Sequence, residues 1–131
     1  LKVIEKTTLT AVDLIVYHNK KILLGLRNNN PAKGYLFTMG CRTGKFETLN
    51  MGITRVAHDE LNINIDPNNT KLVGVYDHIY DNNFDNNNFG THYVVSAYFI
   101  RLDYEPEIHC DKQHGKLCFF EVSVSPYPKA V

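Results

Sequence analysis

Leu49, Ile53, Val56, Ala57 and Leu61 recur at spacings of three and four, the period of a helix that buries one face. This periodicity predicts one clear helix, Phe46–Leu61, in a chain whose other apolar segments read as strands. At ~100° per residue, Glu60 points within ~20° of Leu49 and ~40° of Val56, whereas Asp59 lies ~120° from Ile53. Glu60 therefore falls on or beside the apolar stripe. A carboxylate there costs several kcal/mol or more unless it is paired, protonated or metal-bound. Pairing with a basic residue at the helix end and coordination of a metal both remain open on phase alone.

The strands are legible from alternation and from their boundaries. Ala11–Tyr17 and Lys21–Leu26 read as a hairpin across His18-Asn19-Lys20. Tyr35–Thr38 is a short strand leading into a Gly-bearing loop. Leu72–Tyr80 and His92–Leu102 are longer strands rich in Val, Tyr and Ile, and Leu117–Val122 is a last one. Asn28–Pro31, Asp66–Asn69 and Asp81–Gly90 read as loops from their Asn, Asp, Pro and Gly content. The sequence has no internal repeat. At 131 residues, one domain over residues 1–131 with a core of ordinary size is expected.

Charge and hydropathy narrow the function classes. Lys plus Arg number 14 and Asp plus Glu 14, for a net charge of zero, with no basic run. Strong electrostatic binding to nucleic acid is not expected. No apolar run approaches the ~20 residues that span a bilayer, and no signal-peptide pattern is visible. Cys41, Cys110 and Cys118 are odd in number and lack metal-ligand spacing, which reads as free thiols in a reducing cytoplasm.

The stretch from Met39, MGCRTGKFETLNMGITRVAHDELNI, resembles the Nudix box, G-x5-E-x7-R-E-U-x-E-E-x-G-U, where U is aliphatic. In register, Cys41 takes the first glycine, followed by Glu47, Arg55, Val56, Ala57, Asp59, Glu60, Asn62 for the last glycine, and Ile63. Val56 stands where many Nudix pyrophosphatases carry a carboxylate for additional metal ions. Asn62 is a tolerable substitute because Asn visits left-handed backbone more readily than most residues, while Cys41 is a less comfortable one in a turn. Outside the box, LLGLRNNNPAKGYLF from Leu23, GVYDHIYDNNF from Gly74, THYVV from Thr91 and Gln113-His114 follow in order. With the degenerate box they are similar to the GDP-mannose mannosyl hydrolase branch of the superfamily, over about Val3 to Phe120.

The resemblance implies an α/β (α+β) Nudix fold, a mixed sheet sandwiched between helices. It expects a second helix near the C-terminus, for which Ser123–Val131 is short and rich in proline. It implies Mg²⁺ held by Glu60, the carbonyl of Gly40 and the side-chain oxygen of Gln113, an all-oxygen set suited to a hard cation. It makes His114 the general base, a role its unperturbed pKa near ~6.5 suits. Arg27 and Arg42 become clamps for a diphosphate, since guanidinium offers fixed bidentate donors. His78 and Tyr93 contact the leaving group, although from the residues alone each reads equally as a packed aromatic. Asp13 contacts substrate near the sugar, and alternation leaves open which face of its strand it occupies. Glu47 and Arg55, two helical turns apart, bridge the loop and the helix.

The implied activity is hydrolysis of GDP-mannose to GDP and mannose by water attack at the anomeric carbon with inversion, in a cytoplasmic homodimer. Two other readings compete. One is a Nudix pyrophosphatase that cuts between the phosphates of a nucleotide sugar, against which Val56 argues. The other is a non-catalytic nucleotide-sugar binding module.

Overall fold

The computed structural model describes residues 6–26, 36–80, 90–107 and 117–121. Strand β1 (Leu9–His18) is the hub. It pairs antiparallel with β2 (Lys21–Leu26) at one end and with β4 (Met39–Arg42) at the other, and it runs parallel to β6 (Thr91–Arg101) along its length. Strands β3 (Leu36–Phe37) and β7 (Leu117–Glu121) flank β2, and β5 (Lys71–Tyr80) lies antiparallel on the far side of β6. The sheet is thus mixed, as expected, with β1–β6 its parallel pair. Helix α1 (Leu49–Leu61) covers one face.

The packing follows from alternation on β1. Val12, Leu14 and Val16 point to one side and are fully buried with Leu23 and Met39 against Ile53, Val56, Ala57 and Leu61 of α1. Each Val, Leu, Ile or Met side chain so removed from water contributes about 1.5–3 kcal/mol. Gly52 is buried in α1, where a Cβ would lie 3.1 Å from a Val12 methyl. Its lack of a side chain lets the helix come close to β1.

The helix starts later than its periodicity predicts. Phe46 sits in a turn with φ 68°, and Thr48 is the N-cap, its hydroxyl accepting from the Met51 N–H. Capping satisfies an end donor that a longer helix would leave for another residue. Leu49 is consequently in the first turn and exposed rather than in the buried stripe. At the other end Asn62 adopts φ 55°, ψ 39°; its N–H donates to the His58 carbonyl, and the Ile63 N–H donates to the Ala57 carbonyl. Asparagine therefore performs the left-handed C-cap that a glycine usually supplies.

The segment expected as a Gly-bearing loop is instead part of the sheet. Met39–Arg42 is a strand, with Cys41 opposite Val12 and Gly40 opposite Asp13. Cys41 stands in extended backbone that any residue adopts, so its replacement of a glycine disturbs no turn. Four residues with a glycine and a cysteine carry too little pattern to announce a strand; the pairing with β1 creates it. The β1–β2 turn is Asn19-Lys20, both at positive φ (51° and 65°), as a two-residue hairpin turn of the right twist requires. Asp66–Asn69, expected as a loop, holds a short 3-10 turn over Pro67–Asn69. Strand β2 has the expected bounds, and β1, β5 and β6 differ from expectation by one or two residues at their ends. Asn28–Pro31, Asp81–Asn88 and Ser123–Val131 lie outside the described residues.

Candidate functional site

The box builds a braced junction before it builds a site. Arg55 donates from Nε to Glu47 Oε2 at 2.8 Å and from Nη2 to Glu47 Oε1 at 2.9 Å. Its Nη2 also donates to the Arg42 carbonyl at 2.9 Å, which ties α1 to the end of β4. Glu47 Oε1 accepts from the Gly44 N–H at 3.1 Å. The Arg55 hydrogen bonds, followed by the Gly44 one, hold the Glu47 carboxyl down to about 2. The expected bridge is present, and its partners hold backbone.

Alternation decides the faces. Asp13 pairs with Gly40 across β1–β4 and with Ala97 across β1–β6, and Leu9 and Tyr93 are partners, as are Tyr93 and His78. Residues in register share a face. Asp13, Gly40, Arg42, Tyr93 and His78 therefore line the side of the sheet opposite α1. Ala11, Tyr93 and Val95 form a small buried cluster there, with Leu9 against it. The open question about Asp13 is resolved by the sheet: it faces away from the helix.

Asp13 is the most perturbed carboxyl on that face. It is largely buried, accepts from the Thr38 hydroxyl at 3.1 Å, and lies directly over Gly40, where a Cβ would fall inside the carboxylate and 2.8 Å from the Val12 carbonyl oxygen. Burial raises its pKa to about 6, partly offset by the Thr38 bond. Burial likewise lowers that of His78, against a smaller opposing pull from Asp77. Tyr93 is buried and His78 half-buried.

Glu60 is half-buried in the last turn of α1, on the helix side of the sheet. Asp59 is exposed and meets its neighbour His58 at 3.1 Å. Cys41 links the two sides. Its half-buried thiol lies in the fields of Arg55, Glu47, Asp13 and Glu60, with burial the main influence raising its pKa. Glu60 thus lies near enough to Cys41 of β4 to act on its thiol, and Gly40 is the neighbouring residue of that strand. Among the described residues no group of three or more His, Cys, Asp and Glu is arranged to hold a metal. A cation here needs donors beyond these two. Gln113, expected to supply one, lies outside the described residues, as do His114 and Arg27. Glu60 carboxylate, Gly40 carbonyl and an amide oxygen are chemically consistent with a hard divalent cation.

Beside Arg42 an open cleft of about 820 Å³ is lined by Thr8, Thr10, Arg42, Thr43, Lys45 and Arg55 among others. Glu47 also lines it but is matched by Arg55. Among the described residues no carboxylate pairs with Arg42 or Lys45, so the cleft favours an anion. Sequence reasoning passed over Thr10, Thr38, Thr43 and Lys45. Each acquires meaning through contacts made across the fold, and none carries a spacing signal.

No family model matches the chain. It is 33% identical over 119 residues to the low-salt glycan biosynthesis protein Agl8 of Haloferax volcanii, covering 91% of this chain and 74% of that protein. A MutT Nudix hydrolase from Burkholderia pseudomallei superposes with a TM-score of 0.77 at 22% identity, over 94% of this chain and 90% of that one. A bifunctional NMN adenylyltransferase/ADP ribose pyrophosphatase from Francisella tularensis, complexed with AMP and a Mn ion, superposes with a TM-score of 0.70 at 22% identity. That match covers 89% of this chain and spans only 35% of the longer protein. The order of strands around α1, the box carried by β4 and α1, and these likenesses lead to one assignment: the chain belongs to the Nudix superfamily.

Proposed function

We propose that this protein is a single-domain, Mg²⁺-dependent hydrolase of a nucleotide sugar, GDP-mannose foremost, that breaks the bond between the anomeric carbon and the diphosphate. The observation that carries the reading is Val56. It is 1% exposed and packed into the core between α1 and the sheet. The box position that bears a metal-binding carboxylate in many pyrophosphatases is here an apolar core position, and Glu60 is left as the partly accessible acid of α1. One anionic anchor suits one cation and a substrate that brings its own phosphate oxygens.

In this reading Glu60, the Gly40 carbonyl and Gln113 hold Mg²⁺, which when bound neutralises charge on the diphosphate. His114 takes a proton from water, and the water oxygen bonds to the anomeric carbon with inversion. The carbon–oxygen bond to the diphosphate breaks, and the nucleoside diphosphate leaves with the bonding pair. Arg27 and Arg42 hold the diphosphate, Tyr93 and His78 contact it from the sheet, and Asp13 orients the sugar. Fixed cationic donors aimed at the departing charge supply most of the rate enhancement. The likeness to a glycan biosynthesis protein supports a sugar-bearing substrate.

Hydrolysis in ¹⁸O-water tests the bond cleaved. Label in the free hexose is expected; label in phosphate would replace this reading with the pyrophosphatase one, which the ADP ribose pyrophosphatase named in a structural neighbour favours. Binding without Mg²⁺-dependent turnover would make the chain a binding module. His114→Gln should lower kcat on the order of a hundredfold while nucleotide affinity stays near wild type. The homodimer belongs to the same proposal, supported by exposed Leu72, Val73, Val75 and Ile79 on β5. Sedimentation equilibrium checks it, with a monomer mass as the contrary result. Among the described residues no helix is long and apolar enough to cross a membrane.

A further inference from the structure

The turn Gly44–Glu47 is closed by the Glu47 N–H donating to the Gly44 carbonyl at 3.1 Å. Phe46 occupies its third position with φ 68°, where a β-turn ordinarily calls for glycine or asparagine. For a bulky residue this backbone is an outlier that carries strain, and it persists only when the surroundings impose it. They do so here through Glu47, which is held by two hydrogen bonds from Arg55 and accepts from the Gly44 N–H. The result is a phenyl ring 90% exposed to solvent. Packing does not explain it, since Phe46 contributes to neither buried cluster.

Its neighbour connects the ring to the cleft. Lys45 lines the cleft with Arg42, Thr10 and Thr43, and its Nζ stands 5.3 Å from the Phe46 ring centre. An ammonium over a ring face draws on the negative quadrupole of the ring. One turn therefore presents a cation to an anion-favouring cleft and, adjoining it, a flat apolar surface. A ligand that satisfies both has an anionic group and a planar ring a few bonds apart. Within the nucleotide-sugar reading, on which this inference rests, that part of the substrate is the nucleoside diphosphate.

We propose that the Lys45–Phe46 turn is the nucleoside subsite: Lys45 joins Arg42 in holding the diphosphate, and Phe46 stacks on the nucleobase. The strained backbone holds the ring out before the substrate arrives, which lowers the ordering cost of binding.

The test compares wild type with Phe46→Ala, Phe46→Gly, Phe46→Tyr and Lys45→Ala, using calorimetric titration with GDP, ADP, UDP and inorganic pyrophosphate. Stacking on an aromatic side chain predicts that Phe46→Ala and Phe46→Gly weaken the best nucleoside diphosphate by about tenfold or more. The same variants should leave pyrophosphate affinity unchanged, and Phe46→Tyr should retain nucleoside diphosphate affinity. Lys45→Ala should weaken nucleoside diphosphate and pyrophosphate alike. Phe46→Gly removes the positive-φ strain, so its melting temperature should rise while binding falls, which separates recognition from folding. Wild-type nucleoside diphosphate affinity in both Phe46→Ala and Phe46→Gly overturns the subsite and leaves the hydrolase reading standing. A wild-type protein that binds no nucleoside diphosphate in the panel, with or without Mg²⁺, overturns both.

Discussion

The two faces of β1 are built from alternate residues of one strand and do different things. Val12, Leu14 and Val16 meet α1 in a dry, fully buried core. Ala11 and Asp13 look the other way, toward Gly40, Arg42, Tyr93 and His78. The helix face is apolar and complementary in shape. The opposite face holds a largely buried carboxyl over a glycine, an arrangement that costs stability on its own account. A ten-residue strand thereby supports a face that stabilises and a face that is poised for a ligand, and the period of two keeps them apart.

That contrast breaks first on the helix side. Leu14→Ala should destabilise by about 2–5 kcal/mol, the cost of a large-to-small change in a packed core. Urea denaturation measures it, and KM for any nucleotide-sugar substrate should stay unchanged in the fraction that remains folded. On the other face, Gly40→Ala forces a methyl into the Asp13 carboxylate and against the Val12 carbonyl. It should cost about 1–3 kcal/mol by overpacking. The double variant with Asp13→Ala should regain part of that loss, and a strictly additive cycle would show that the two residues do not clash.

Asp13→Asn should act in the opposite direction and stabilise the fold. With a pKa near 6 in the folded chain against the ordinary 3.8, Asp13 holds its proton more tightly folded than unfolded. Its contribution is neutral below about 3.8, turns unfavourable as pH rises, and is fully unfavourable above about 6. The variant should be more stable than wild type by on the order of 1–3 kcal/mol at pH 8, the scale of a two-unit shift. That advantage should shrink toward pH 4. Denaturation in the presence of a chelator measures it, and a pH-independent difference would contradict the burial argument.

The smallest effect lies at Glu47, beside the cleft. Its folded pKa is about 2 against the usual 4.5, so its stabilising contribution is full above 4.5 and lost as pH falls toward 2. Glu47→Gln should therefore show a shallower loss of melting temperature than wild type across that acid window. Parallel curves would mean the bridge to Arg55 adds nothing to folding.

Much of this organisation was legible in the order of residues. The stripe Ile53, Val56, Ala57 and Leu61, the strand alternation, the Glu47–Arg55 bridge and the left-handed Asn62 are local, since each depends on neighbours within a few residues or two helical turns. The strand at Met39–Arg42 is not legible, because it exists through pairing with Ala11–Leu14, far away along the chain. Periodicity places the start of α1 three residues early because it does not see that Thr48 caps the helix. Phe46 and Lys45 carried no signal at all, since a positive φ and an exposed ring beside a cleft are properties of coordinates.

By itself the sequence determined one amphipathic helix on a mixed sheet, a Nudix box with its carboxylate missing at Val56, and a braced loop before the helix. Those follow from short-range sterics and from the period of apolar residues, which act within a single element. The tertiary structure alone decided that Asp13 faces away from the helix and that Gly40 must lack a side chain. It alone also decided that Arg42 and Lys45 share a cleft. Each of those depends on the register between strands, where a slip of one residue would exchange the two faces of β1.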